Sequence, residues 1–206
     1  GATFIGHFCG NYFWYFLLTW LPYYLVNERH FSLGTMAVVG SLSPLLSGGA
    51  TIVAGWWSYR ALSAGATPTR VRKTCTVTGL TFATVIIFVP MVSNTLVAMG
   101  LLMFASLAYG IFGSSHWAIT QTIAGPLAVG RWSGMQNFVG NLAGVVAPAL
   151  TGFVVEMTGN FVWAFVAIGV VTLTGAMAYL FGLGPVEPAT WTASRLGQAR
   201  LADGAT

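Results

Sequence analysis

Six long apolar stretches divide this sequence, at roughly 3–26, 34–57, 74–92, 95–123, 132–155 and 161–183. Each holds about 19 residues or more, enough as helix to cross a hydrocarbon core of ~30 Å. The eight Lys and Arg residues and the four Asp and Glu residues all fall between or after these stretches. A charge placed in hydrocarbon costs several kcal/mol, so a lipid-spanning helix excludes it unless it has a function there. Barrel strands need only about ten residues of alternating pattern, which these runs lack. The pattern predicts an all-α, polytopic membrane helix bundle of six transmembrane helices over 1–188, followed by a polar cytoplasmic tail over 189–206.

Composition agrees. Hydrophobic residues make up 56% of the chain and charged residues 6%, whereas a soluble domain carries about 25% charge. The net charge of +4 reads as topology, not as nucleic-acid binding. Arg60, Arg70, Arg72, Lys73, Arg131, Arg195 and Arg200 lie on one side of the alternating loops, and Arg29 alone lies on the other, beside Glu28 and Glu156. This positive-inside asymmetry puts both ends in the cytoplasm. Cys9 and Cys75 form no CxxC pair and read as small buried hydrophobes. The chain opens at Gly1 and enters an apolar run with no signal peptide ahead of it, so a missing upstream part is expected.

The spans differ in texture. The second is rich in Gly and Ser and contains Pro44, which is expected to kink it. Gly6 with Gly10, Gly130 with Gly134 and Gly140 with Gly144 are GxxxG pairs, read as close helix approaches. Gly40-Ser41-Leu42 in the second span is echoed by Gly140-Asn141-Leu142 in the fifth. Each is the middle helix of a triplet and the triplets start on opposite sides, the arrangement of a three-plus-three inverted repeat.

Polar side chains inside the spans are the candidate chemistry. His7, Asn11 and Tyr15 share one helix face at i, i+4 spacing, flanked by Tyr12 and Thr19, and suit the lining of a cavity. His7 stands near the helix start and reads as interfacial. Asn137 and Asn141 share a face of the fifth span, and amides in a membrane helix need partners. Ser114, Ser115, His116 and Trp117 form the densest polar cluster. Adjacent helical residues point about 100° apart, so Ser115 and His116 do not make a catalytic pair, and no GxSG motif is present. His7, His30 and His116 stand apart along the sequence, so no metal or haem set is expected. No cofactor and no enzymatic activity is expected. No Lys, Arg, Asp or Glu lies within a span, so these helices offer neutral recognition only.

The stretch Arg131-Trp132-Ser133-Gly134-Met135-Gln136-Asn137-Phe138 and its continuation to Val155 resembles the eleventh helix of major facilitator superfamily transporters. The likeness is closest to the anion:cation symporter branch, which carries sugar acids and other organic anions with protons. Gly6-His7-Phe8 and Trp20-Leu21-Pro22-Tyr23-Tyr24-Leu25 look like that branch's seventh helix. Thr67-Pro68-Thr69-Arg70-Val71-Arg72-Lys73 fits its eighth-to-ninth connection. The resemblance implies the carboxy-terminal, six-helix half of a bacterial inner-membrane transporter. Its substrate contacts would be Asn11, Tyr12, Tyr15, Ser114, Ser115, Trp117, Asn137 and Asn141. It also implies a cytoplasmic gate motif at Gly55 and Arg60, with Tyr59 where the family carries Asp. Its partners would be a small organic anion, protons, the lipid bilayer and the missing amino-terminal half, with no nucleic acid. The alternative is a complete six-helix, non-transporting membrane protein or small channel.

Overall fold

The computed structural model describes residues 1–189; the rest of the expected tail, 190–206, lies outside the described residues. Regular structure among the described residues is helical throughout. α1 (Ala2–Thr19) and α2 (Leu21–Asn27) share the first apolar stretch. α3 is Leu33–Ser63. α4 (Pro68–Ala83) tightens into a 3₁₀ segment, Thr84–Met91. α5 (Thr95–Asn141), α6 (Ala143–Thr158) and α7 (Val162–Gly182) complete the order.

Local chemistry sets the helix ends. Ser32 caps α3 by accepting a hydrogen bond from the Thr35 N–H at 3.2 Å. Asn94 caps α5 through the N–H groups of Leu96 and Val97, at 2.9 and 3.2 Å. Thr67 does the same for α4, with Pro68 at the first turn. These side chains satisfy amides that have no partner within the helix. Gly159 ends α6 at φ 69°, a left-handed conformation that glycine enters without penalty.

Four helical segments among the described residues are long and apolar enough to cross a membrane: Leu33–Ser63, Pro68–Met91, Thr95–Thr158 and Val162–Gly182. α1 is more polar, because His7, Asn11, Tyr12 and Tyr15 fall within its 18 residues. α5 is interrupted at Gly125, whose φ of 61° and ψ of 178° lie in a region open essentially to glycine. Pro126 follows and cannot donate a hydrogen bond back into the first arm. The break separates an arm over 95–124 from a second arm over 126–141 that continues into α6.

Two expected loops are therefore shorter than the hydropathy pattern implied. The connection read over 58–73 shrinks to four residues, 64–67, because α3 extends to Ser63 and α4 starts at Pro68. The connection read over 124–131 shrinks to the break at Gly125. In the first place polar residues such as Arg60, Arg70, Arg72 and Lys73 continue the helices past the apolar runs; in the second the largely apolar 126–130 and Arg131 are helical as well. Pro44 sits inside α3 without dividing it.

α1 lies at the centre, against both arms of α5 and against α6 and α7. Its buried face carries Phe13, Phe16 and Leu17, which meet Phe165 and Ile168 of α7 and Leu102 and Ala105 of α5 in one core. α3 is the outermost helix. Only 11% of its most apolar window is buried, against 39–44% for the other three segments, so most of its apolar surface faces outward.

Two basic residues of α4 tie the bundle together at one end. Lys73 Nζ donates to the Leu183 carbonyl beyond α7 at 2.9 Å. The Arg72 guanidinium donates to the Ala118 carbonyl at 2.6 Å and to the Thr122 hydroxyl. The Lys73 cation complements the carbonyl end and the negative end of the dipole of α7, whereas Arg72 ties α4 to the side of α5, where the Ala118 carbonyl also accepts from the Thr122 hydroxyl at 2.8 Å.

Gly125→Ala is expected to destabilise the protein by about 1–3 kcal/mol, the cost of a side chain in this backbone region. Gly130, where an added Cβ would meet nothing within 4 Å, is the control and should tolerate alanine. Thermal melting of the purified full-length protein in detergent checks both.

Candidate functional site

A cavity of about 450 Å³ opens between α1, α3 and the two arms of α5. α1 contributes His7, Asn11, Trp14 and Tyr15; α3 contributes Pro44, Ser47, Gly48 and Thr51. Tyr109, His116 and Trp117 come from the first arm of α5, and Asn137 and Asn141 from the second. None of these lining residues is Lys, Arg, Asp or Glu.

The polar groups are ordered by one another. The Tyr15 hydroxyl donates to Asn141 Oδ1 at 2.7 Å. The Asn141 amide donates to the Asn137 carbonyl at 2.8 Å and to Asn137 Oδ1 at 3.0 Å. Asn141 is thus consumed in holding its neighbours, while the Asn137 amide N–H groups keep their donating capacity. Ring placement follows from small residues opposite. A Cβ on Gly140 would come within 2.8 Å of the His7 ring, and one on Gly144 within 2.9 Å of the Tyr15 ring. The bare backbone at these two positions lets both rings seat against the second arm and α6. Gly6 and Gly10 admit Tyr179 and Phe112 in the same way, whereas Gly130 and Gly134 approach nothing within 4 Å.

The aromatic wall is continuous. Trp14 stacks on Tyr109 with ring centroids 6.1 Å apart and an 11° interplanar angle. Tyr109 in turn stacks on Phe13 at 5.0 Å. Trp117 meets the His7 ring edge-on at 4.8 Å.

Of the eight substrate contacts that the resemblance implied, five line this cavity, Asn11, Tyr15, Trp117, Asn137 and Asn141, and His7 and His116 join them. Three do not line the cavity. Tyr12 is turned into the core, with its hydroxyl near Thr151 of α6. Ser115 is buried, and Ser114 donates back to the Ile111 carbonyl at 2.7 Å. Each stands next to a lining residue or one turn away, but the helical rotation points it elsewhere. At the gate motif, Arg60 lies over the Trp56 ring, with Cζ 4.4 Å from the ring centre. Tyr59 is exposed, and a Cβ added at Gly55 would meet nothing within 4 Å.

His7 is 3% exposed and covered by both arms of α5, and one reading of the histidines needs correction. His7 and His116 do not stand apart, since their ring centroids are 5.1 Å from each other. What covers His7 is remote in sequence, so its burial was not visible from its place in α1. The α3 lining was missed altogether. Pro44, Ser47, Gly48 and Thr51 recur at i, i+3, i+4 and i+7, the spacing of one helix face, and that signal was available.

A helical bundle with membrane-length apolar segments around an open, uncharged, polar cavity is the architecture of a membrane transporter domain. Residues 3–203 match the Major Facilitator Superfamily model, and the chain belongs to that family. It is 32% identical over 188 residues to the "Hexuronate transporter" of Bacillus subtilis (strain 168), covering 89% of this chain and 44% of that protein. It is 31% identical over 188 residues to the "Probable galactarate/D-glucarate transporter GarP" of Escherichia coli (strain K12), covering 89% of this chain and 42% of that protein. Among solved structures, a POT family transporter in complex with 5-aminolevulinic acid superposes with a TM-score of 0.72 at 16% identity, over all of this chain and 44% of that one. That likeness concerns the fold alone. The chain spans less than half the length of the curated relatives it matches.

Proposed function

We propose that this chain is the carboxy-terminal half of a transporter that takes up an organic anion, such as a sugar acid, together with protons. The two halves would rock about a site at the bilayer midplane. In this reading the six apolar stretches are six crossings related as a three-plus-three inverted repeat. Arg60, Arg70, Arg72, Lys73 and Arg131 would face the cytoplasm of a bacterium, with the protein in its inner membrane and both ends inside. The observation that carries the reading is the cavity. Its amides, hydroxyls and aromatic faces match a small molecule rich in hydroxyl groups, and the relatives named for sugar acids are similar over nine-tenths of this chain.

Asn11 and Asn137 would donate to substrate oxygens, with Tyr15 and Asn141 orienting Asn137 and with Trp14 and Trp117 as walls. The gate at Gly55 and Arg60 would close the inward side without the carboxylate that Tyr59 replaces. Uptake of labelled D-galacturonate and D-glucarate by cells expressing the full-length protein tests the function. Saturable uptake that collapses with a proton uncoupler is expected. No uptake of either would sink the reading, and non-saturating, uncoupler-insensitive flux would favour a channel. Tyr15→Phe removes one neutral hydrogen bond, worth ~0.5–1.5 kcal/mol, and is expected to raise the apparent substrate constant about 2- to 10-fold.

A further inference from the structure

We propose that Gln136 is a positioning residue for the transported substrate: from behind the cavity it clamps the second arm of α5 to the first arm and to α1, and so keeps Asn137 aimed inward. This rests on the reading that the cavity binds an organic anion such as a sugar acid.

Gln136 is fully buried, and a buried amide needs hydrogen-bond partners. Both of its partners stand on other segments. Its Oε1 accepts from the Thr120 hydroxyl of the first arm at 2.7 Å, and its Nε2 lies 3.4 Å from His7 Nδ1 of α1. Thr120 and His7 are buried as well, so water does not compete for these groups. His7 carries the clamp toward the cavity, where its ring meets the lining residue Trp117 edge-on at 4.8 Å.

Helical geometry gives Gln136 leverage over the site. Gln136 and Gly140 stand at i, i+4 and share one face. The His7 ring seats against both, since a Cβ on Gly140 would come within 2.8 Å of it. Asn137 and Asn141 stand at i, i+4 too, on the neighbouring face about 100° round the helix, and that face lines the cavity. Any turn of the arm about its axis moves both faces together. The two arms join at Gly125, with φ 61°, and a glycine is too permissive a joint to fix that turn by itself. The hydrogen bond from Tyr15 to Asn141 also reaches across to α1, but its groups are exposed in the cavity, where water and substrate compete for them. The buried clamp is the tie that persists as the cavity fills. It sets Asn137 on one arm against Trp117 on the other, so the substrate meets both at a fixed separation.

The test is uptake kinetics of labelled D-galacturonate by cells expressing the full-length protein. Thr120→Val removes the hydroxyl at nearly constant volume, and Gln136→Leu removes the amide. Each should raise KM about 2- to 10-fold, the equivalent of one net neutral hydrogen bond, with the maximal rate per molecule of protein held. Both break the same clamp, so the double variant should be no worse than Gln136→Leu alone. The effect of Gln136→Leu should also shrink in an Asn137→Ala background, which a residue that only supports the fold would not show. Unchanged KM in Thr120→Val, or a KM effect of Gln136→Leu undiminished without Asn137, overturns the inference and leaves the substrate class standing. A loss of rate at unchanged KM overturns it as well. No uptake by wild type overturns the substrate class and this inference with it. If Gln136→Leu is not recovered folded, Thr120→Val and its combination with Asn137→Ala decide by the same criteria.

Discussion

Asn137→Ala should raise the apparent substrate constant about 10- to 100-fold, from the ~1.5–3 kcal/mol lost with a hydrogen bond to a charged partner. Among the amides that line the cavity from the second arm, Asn137 is the one with donors to spare. Its carbonyl oxygens take the Asn141 amide, and its own N–H groups remain for a ligand. Asn141→Ala should act differently. It releases Tyr15 and Asn137 together, so its effect should shrink in a Tyr15→Phe background. A double-mutant cycle on uptake kinetics reads that coupling directly. Unchanged kinetics in Asn137→Ala would remove this residue from the site.

Gly110→Val should prevent the full-length protein from being recovered as a stable, monodisperse species. A Cβ at Gly110 would lie 2.2 Å from the Ser47 carbonyl oxygen and 2.9 Å from its carbon. Both are backbone atoms, so only separating α3 from α5 relieves the clash. Separation also breaks the hydrogen bond from Thr51 to the Gly110 carbonyl at 2.9 Å and the buried contact between the Ser43 and Ser106 hydroxyls at 2.7 Å. The combined loss is about 3 kcal/mol or more, in the range of severe overpacking. Since Ser47 and Thr51 also line the cavity, the same joint positions α3 against the site. Gly100→Ala, with nothing within 4 Å of its Cβ, is the control. Size-exclusion profiles and melting temperatures of the two variants check the expectation.

Much of the cavity lining was legible along the chain. The stripe of His7, Asn11 and Tyr15 and the pair Asn137 and Asn141 were visible as i, i+4 repeats, and the structure brings them to one cavity. Tyr12 and Ser115 were not separable from their neighbours by composition, because a polar residue and the one beside it differ only in direction around the helix. The Gln136 link to His7 was invisible for another reason. The two residues are 129 positions apart, and nothing local in either helix marks the other. Gly110 carried no signal either, since 26 glycines are spread through the chain and only packing shows which meet a backbone.

The sequence by itself determined the all-helical membrane character and the exclusion of charge from the apolar runs, and it located the starts of α3 and α5 to within a residue or so, though not that of α4. Desolvation and capping are local costs, so each residue reports them where it stands. Only the tertiary structure decided that α3 closes one side of the cavity, that Tyr15 reaches Asn141 across 126 positions, and that His7 faces His116. Those depend on how helices pack and on the break at Gly125 that redirects α5, and packing is a relation between segments that no single segment carries.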